Sequence, residues 1–225
     1  MKLISKSLAA AGLAASAFAA TATPAAAQVN GIATSSPEAV IVRAAARQAA
    51  YNTIAQTYAT QIQQVQTLRQ TLQTQGQTLD ADNDGNVTEA EFNANPALVQ
   101  QIQQTEQQIQ QLSQPIALAQ AYAIEQLIND YNNARTEVIN AKGIQIMVTP
   151  ESLQYAPEGV NVTSDIVAAL DRRLPTVQTT PPAGWQPRRE SLQMQQTVQQ
   201  VLIAAVQQQQ AAAAAQQQAQ QPTGR

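Results

Sequence analysis

The chain has 225 residues, of which only 12% are charged and 4% aromatic, where ordinary globular domains carry about 25% charged residues. Cysteine and histidine are both absent, which removes thiol nucleophiles, the usual zinc sites and the commonest general base, so an enzyme is not expected. The net charge of -3, with no basic patch interleaved with aromatics, disfavours nucleic acid as a partner. Alanine is the largest share of the apolar 44% and glutamine stands where charge would be. Such a chain suits long helices better than a thick core.

Lys2 and Lys6 precede an apolar run over residues 8–20, and Ala25-Ala26-Ala27 comes just before Gln28. This order predicts a secretory signal peptide over 1–27 and a periplasmic mature protein. The run is too short and alanine-rich for a membrane span, so stable membrane insertion is not expected. Cleavage after Ala27 leaves ten basic against fifteen acidic residues.

Residues 28–34 can form one strand. Ser36, Pro37 and Glu38 then supply an N-cap serine, a first-turn proline and a first-turn acid, which starts a helix predicted over 37–79. Its seam follows a heptad, with Tyr51, Tyr58, Val65, Leu72 and Leu79 at one position and Ile54, Gln61, Leu68 and Gln75 at the other. That is a coiled-coil pattern with polar gaps.

The next twelve residues, 80–91, have the spacing of an EF-hand calcium loop. Asp80, Asp82 and Asp84 offer carboxylates, Asn86 a backbone carbonyl, Thr88 a hydroxyl directly or through water, and Glu91 two oxygens, with Gly85 at the sharp turn. The expected ligand is calcium, held at a weak, extracellular-type affinity on the order of 10⁻⁴ to 10⁻³ M. Sensors pair two such loops. A single loop with a short exiting helix reads as a structural clip ahead of a switch.

Asn95 and Pro96 restart the chain as cap and first-turn proline for a second helix predicted over 96–141, kinked at Pro115. Leu98, Ile102, Ile109, Leu112 and Ile116 carry its seam, which continues through Ile124, Leu127, Tyr131 and Val138. Two helices of roughly 65–70 Å, at 1.5 Å per residue, predict an antiparallel hairpin with the calcium loop at its tip. Lys142 and Gly143 end the second helix, residues 144–148 and 152–155 read as strands, and Thr163-Ser164-Asp165 caps a short helix over 166–174. The fold class is mainly α with a small β base (α+β): a long helical hairpin on a short-stranded oligomerisation body.

Residues 175–189 are a proline-rich linker in which Trp185 is either a docking contact or incidental. Residues 190–225, rich in glutamine and alanine, form either an amphipathic helix or a disordered tail. The Arg172-Arg173 and Arg188-Arg189 pairs read as solubilising charges.

Strand, long helix, tip, long helix, strands and terminal helix, over 28–174, resemble the Skp/OmpH family of periplasmic chaperones. The resemblance is carried by residues 144–155 (IQIMVTPESLQY) and 162–170 (VTSDIVAAL). It implies a homotrimer whose strands build a shared barrel and whose hairpins surround a cavity that holds unfolded outer-membrane or envelope proteins without ATP. Two departures stand out. Such chaperones are typically basic, yet between Gln48 and Ile124 the only charges outside the loop are Arg69 and Glu106; and residues 175–225 lie outside the family pattern. The alternative is a calcium-binding structural or interaction protein of the envelope.

Overall fold

The computed structural model describes residues 31–219. The signal peptide expected over 1–27, the start of the first strand and the last six residues lie outside them. The elements run β1 (Ile32–Thr34), α1 (Pro37–Arg43), α2 (Ala45–Thr57), α3 (Ala59–Leu79), α4 (Glu89–Ala94), α5 (Pro96–Lys142), β2 (Ile146–Val148), α6 (Thr163–Arg173) and α7 (Arg189–Ala219). The architecture is a helical hairpin, α2–α3 against α5, standing on a small base of β1, β2, α1 and α6.

Local chemistry accounts for most of the boundaries. The Ser36 hydroxyl accepts from the Ala39 N–H at 3.0 Å, satisfying an otherwise unpaired first-turn donor beside Pro37. Where α5 returns to the base, Gly143 adopts φ 63° and its N–H closes on Ile139, a left-handed cap that suits glycine. Helix α5 runs through Pro115 as one element of 47 residues, about 70 Å long. The proline leaves the Gln111 carbonyl without its usual donor.

Four expectations are corrected. The first long helix is divided into α1, α2 and α3. At Ala44 (ψ 128°) the chain leaves the helical region, and the carboxylate of Asp171, on α6, accepts the freed Ala45 N–H at 2.8 Å. A cap arriving from 126 residues away has no local sequence signal. At Tyr58 the interruption is milder, since the backbone bonds from Tyr58 to Ile54 and from Ile62 to Tyr58 persist. Asn95 makes no side-chain cap bond to α5. The segment 152–155 is not a strand: a 3-10 turn, Pro150–Ser152, precedes an irregular stretch in which Tyr155 is 85% exposed. Lastly, α6 is not capped by its Thr163-Ser164-Asp165 run; Asn161 Oδ1 accepts the Thr163 N–H at 3.0 Å, and Thr163 Oγ1 instead accepts from the Ser36 N–H.

β1 and β2 pair in parallel, Ile32 with Ile146 and Thr34 with Val148. Beside them, Thr34 also bridges Asn161. The core sits where the base meets the hairpin. Val40 and Ile41 of α1, Ile124 and Leu127 of α5, and Ile166 and Leu170 of α6 are essentially sealed from solvent. Toward the tip the seam thins: Val65, Leu79 and Val99 are buried, while Tyr58, Leu68, Leu72, Ile102, Ile109 and Leu112 are only half-buried. Arg172 and Arg173, expected as free surface charge, are tied to α5. Arg173 forks onto Asp130 at 2.9 and 3.0 Å, and Arg172 pairs with Glu137.

Candidate functional site

Two regions of the chain carry chemistry: the hairpin with its tip, and the C-terminal arm laid along α5. The hairpin surface is built from glutamine, threonine and alanine. Many of its threonines return their hydroxyls to the carbonyl four residues back, as Thr67 does to Gln63 and Thr74 to Gln70. Those hydroxyls are therefore spent within the helix, a habit that also bends it. What remains free on the surface is glutamine amide and apolar side chain. Between α3 and α5 an open groove of about 700 Å³ is lined by Leu68 and Leu112 with Gln63, Gln64, Gln108 and Gln111.

At the tip, Asp80, Asp82 and Asp84 each place a carboxylate oxygen within 4.8 Å of the others. The loop backbone holds them there. Asp80 accepts from the Asp84 and Gly85 N–H groups at 3.2 and 2.9 Å, Asp82 from Asp84, and Asp84 from Asn86 at 2.7 Å. Gly85 (φ 87°) and Asn83 (φ 59°) take the left-handed conformations this winding demands. Hard carboxylate oxygens on a tight turn fit a calcium ion.

Glu91 is not a member of that cluster. One of its oxygens accepts from the Ala81 and Asp82 N–H groups at 2.7 and 3.4 Å, and the other from the Thr88 N–H and hydroxyl at 2.9 and 2.8 Å. It thereby closes the loop on itself and boxes the start of α4 with Thr88. Asn86 and Thr88 stand beside the cluster in the chain, and the hydroxyl of Thr88 is engaged with Glu91. Val87 and Phe92, 45% and 46% exposed, leave the tip partly apolar.

The bonds from the Thr88 backbone and hydroxyl, then from Ala81, hold the Glu91 carboxyl down at about 2. Because that value lies below the ordinary 4.5, loop closure is complete above the ordinary value and is lost as pH falls through the folded one. The Ala81 and Thr88 amide proton shifts should accordingly titrate with a midpoint near 2. A midpoint near 4.5 would mean that Glu91 does not close the loop in solution.

The proline-rich segment has no helix or strand, yet it is fastened to α5. Gln126 exchanges two hydrogen bonds with the Gln178 backbone, both 2.9 Å. Trp185 stands edge-on to Tyr122 with ring centroids 5.0 Å apart. Glu125 is the anchor: it accepts from Trp185 Nε1 at 3.2 Å, the Arg188 N–H at 3.3 Å and the Ser191 hydroxyl at 2.7 Å, and pairs with the Arg188 guanidinium at 3.3 Å. Burial pushes this carboxyl up, but those bonds outweigh it and hold it below the usual range. Farther along, Gln195 donates to the Ala117 carbonyl at 2.9 Å and Val198 is fully buried. Leu202 still packs against the core, while Val201, Ile203 and Val206 on the outward side of the helix are 42–58% exposed. The sequence signals for this docking were the lone Trp185 and the apolar spacing of 194, 198 and 202; Arg188 belongs to the anchor and is not a free surface charge.

Among the described residues no helix is long and apolar enough to cross a membrane. A crystal structure of a candidate OmpH-like outer membrane chaperone from Caulobacter crescentus aligns over 68% of this chain and 90% of its own, at 19% identity and a TM-score of 0.44. No curated protein matches. The profile of the family described as outer membrane protein (OmpH-like) matches residues 31–170. That span opens at β1, takes in the whole hairpin and closes at Leu170, the last sealed residue of α6. The chain therefore belongs to the OmpH-like outer membrane protein family.

Proposed function

We propose that this protein is a periplasmic, ATP-independent holdase that keeps unfolded outer-membrane or envelope proteins from aggregating, assembled as a homotrimer with the hairpins as arms. The observation that carries the reading is the family match over 31–170, which coincides with the base and the hairpin. Supporting it, the arms present grooves that mix leucine with glutamine and almost no charge. Such a surface makes many weak, unselective contacts and steers nothing electrostatically. Retention then comes from confinement between arms and from the sum of small contacts. A two-stranded parallel sheet is too small to stand alone, which favours assembly of the base.

At the tip, Asp80, Asp82 and Asp84 would hold a calcium ion, with the Asn86 carbonyl, Thr88 and Glu91 completing the set. The ion would supply positive charge to a loop of mutually repelling carboxylates, and so fix the end of each arm. Glu91, kept ionised by its low pKa, would exchange its hydrogen bonds for the ion.

The mature protein should scatter light as a trimer and, at one trimer per client, suppress aggregation of an unfolded outer-membrane barrel protein. A monomer, or unchanged aggregation, would overturn the holdase reading. Calcium titration followed by hydrogen exchange should protect the tip alone, at about 10⁻⁴ to 10⁻³ M, and Asp80→Ala should abolish that protection. Protection reaching the base would replace the clip with a switch. A second reading, an envelope interaction protein, draws on the exposed Val201, Ile203 and Val206 of α7. Changing these three to glutamine should leave client holding intact if the arms do the work, and should abolish partner binding if α7 does.

A further inference from the structure

The base is asymmetric about its sheet. A strand residue pairs with one neighbour on each side, so the bridge from Thr34 to Asn161 places Asn161 on the side of β1 away from β2. The outer edge of β2 has no partner strand among the described residues, and Ile146 on it is 55% exposed. An apolar open edge invites another chain.

Where the ends of β1 and β2 meet α5 lies a pocket of about 210 Å³ lined by Ser35, Pro37, Tyr131, Arg135, Met147 and Thr149. Arg135 rests its guanidinium over the Tyr131 ring, 5.6 Å from the centroid. Its Nε is shut off from solvent with no hydrogen-bond partner, and it forms no ion pair among the described residues. The other arginines around the base each donate to an acceptor: Arg43 to Ser164, Arg47 to the Val42 carbonyl, and Arg172, Arg173 and Arg188 to carboxylates. A guanidinium donor left unpaired and dry is costly. The rest of the Arg135 side chain is partly exposed and meets no carboxylate of its own chain among the described residues, so the group that suits this pocket is an anion.

On the opposite side of the sheet, the 3-10 turn Glu158–Val160 leads into Asn161. Glu158 is exposed and forms no ion pair among the described residues. Head-to-tail repetition would bring the β2 edge of one copy against the Asn161 side of the next, and gives a ring where the rotation between copies closes. We propose that the Arg135 pocket is completed by Glu158 of a second copy of this chain, so that each contact around the ring is keyed by one Arg135–Glu158 pair. This rests on the homo-oligomer reading above. A two-fold contact, β2 against β2, would instead bring Glu151 to the pocket.

The chain has no cysteine, so engineered thiols report cleanly. Oxidised full-length Arg135→Cys/Glu158→Cys should give cross-linked chains on a denaturing gel, and neither single variant should. Arg135→Glu and Glu158→Arg should each weaken assembly about tenfold or more by sedimentation, with helicity unchanged, and the combined reversal should restore it. Cross-linking through Arg135→Cys/Glu151→Cys in place of Glu158, or charge reversals that leave assembly unaltered, would overturn the pair while leaving the oligomer standing. A wild-type chain that sediments as a monomer would instead remove the oligomer reading itself.

Discussion

Glu125→Ala frees the C-terminal arm from α5 at a cost of about 2–3 kcal/mol. The carboxylate serves three separate parts of the arm, namely the Trp185 indole, the Arg188 backbone and guanidinium, and the Ser191 hydroxyl. Ser191 is fully buried, so without Glu125 its hydroxyl has lost its acceptor in a dry place, and the arm gains by leaving. Trp185 is the only tryptophan in the chain, which makes fluorescence a direct reporter. The variant should show a red-shifted emission and faster tryptic cleavage at Arg188 and Arg189. Unchanged emission and cleavage would mean that the arm is held by Val198 and Gln195 alone. Glu125→Gln, which keeps one acceptor oxygen, should fall between the two.

Leu127→Ala should destabilise the base by about 2–5 kcal/mol, lowering the melting temperature by roughly 5–15 °C in a chain of this size. Leu127 is sealed among α1, α5 and α6, where a missing isobutyl group leaves a hole that rigid neighbours cannot fill. Leu112→Ala, half-buried on the hairpin, should cost about 1 kcal/mol or less, because a site open to water collapses or hydrates. Equal effects of the two substitutions would contradict the thinning of the core toward the tip.

The helical hairpin was legible because its signals are local: the Ser36-Pro37 start, the heptad from Tyr51 and the Gly143 stop each act within a few residues. The Asp cluster at the tip was legible for the same reason, since its spacing is set by one loop. What escaped was decided at a distance. The break at Ala44 is held by Asp171, and the helix α6 opens with Thr163 turned to Ser36 instead of to its own first turn. The composition of 175–189 indicates a linker, but composition is silent on whether α5 offers a Glu125 to receive it. One consequence is practical: removing residues 175–225 would strip Val198 and Ser191 from their buried places, so such a truncation tests stability along with function.

The parallel pairing of Ile32 with Ile146 joins strands more than a hundred residues apart, with the entire hairpin as their connection. Loop closure of that length is slow compared with helix growth. The arms can therefore zip from the tip while the first strand, already made, waits for its partner. During that interval the chain is itself an unfolded protein with an unmatched strand, the same hazard its finished form is proposed to suppress in others.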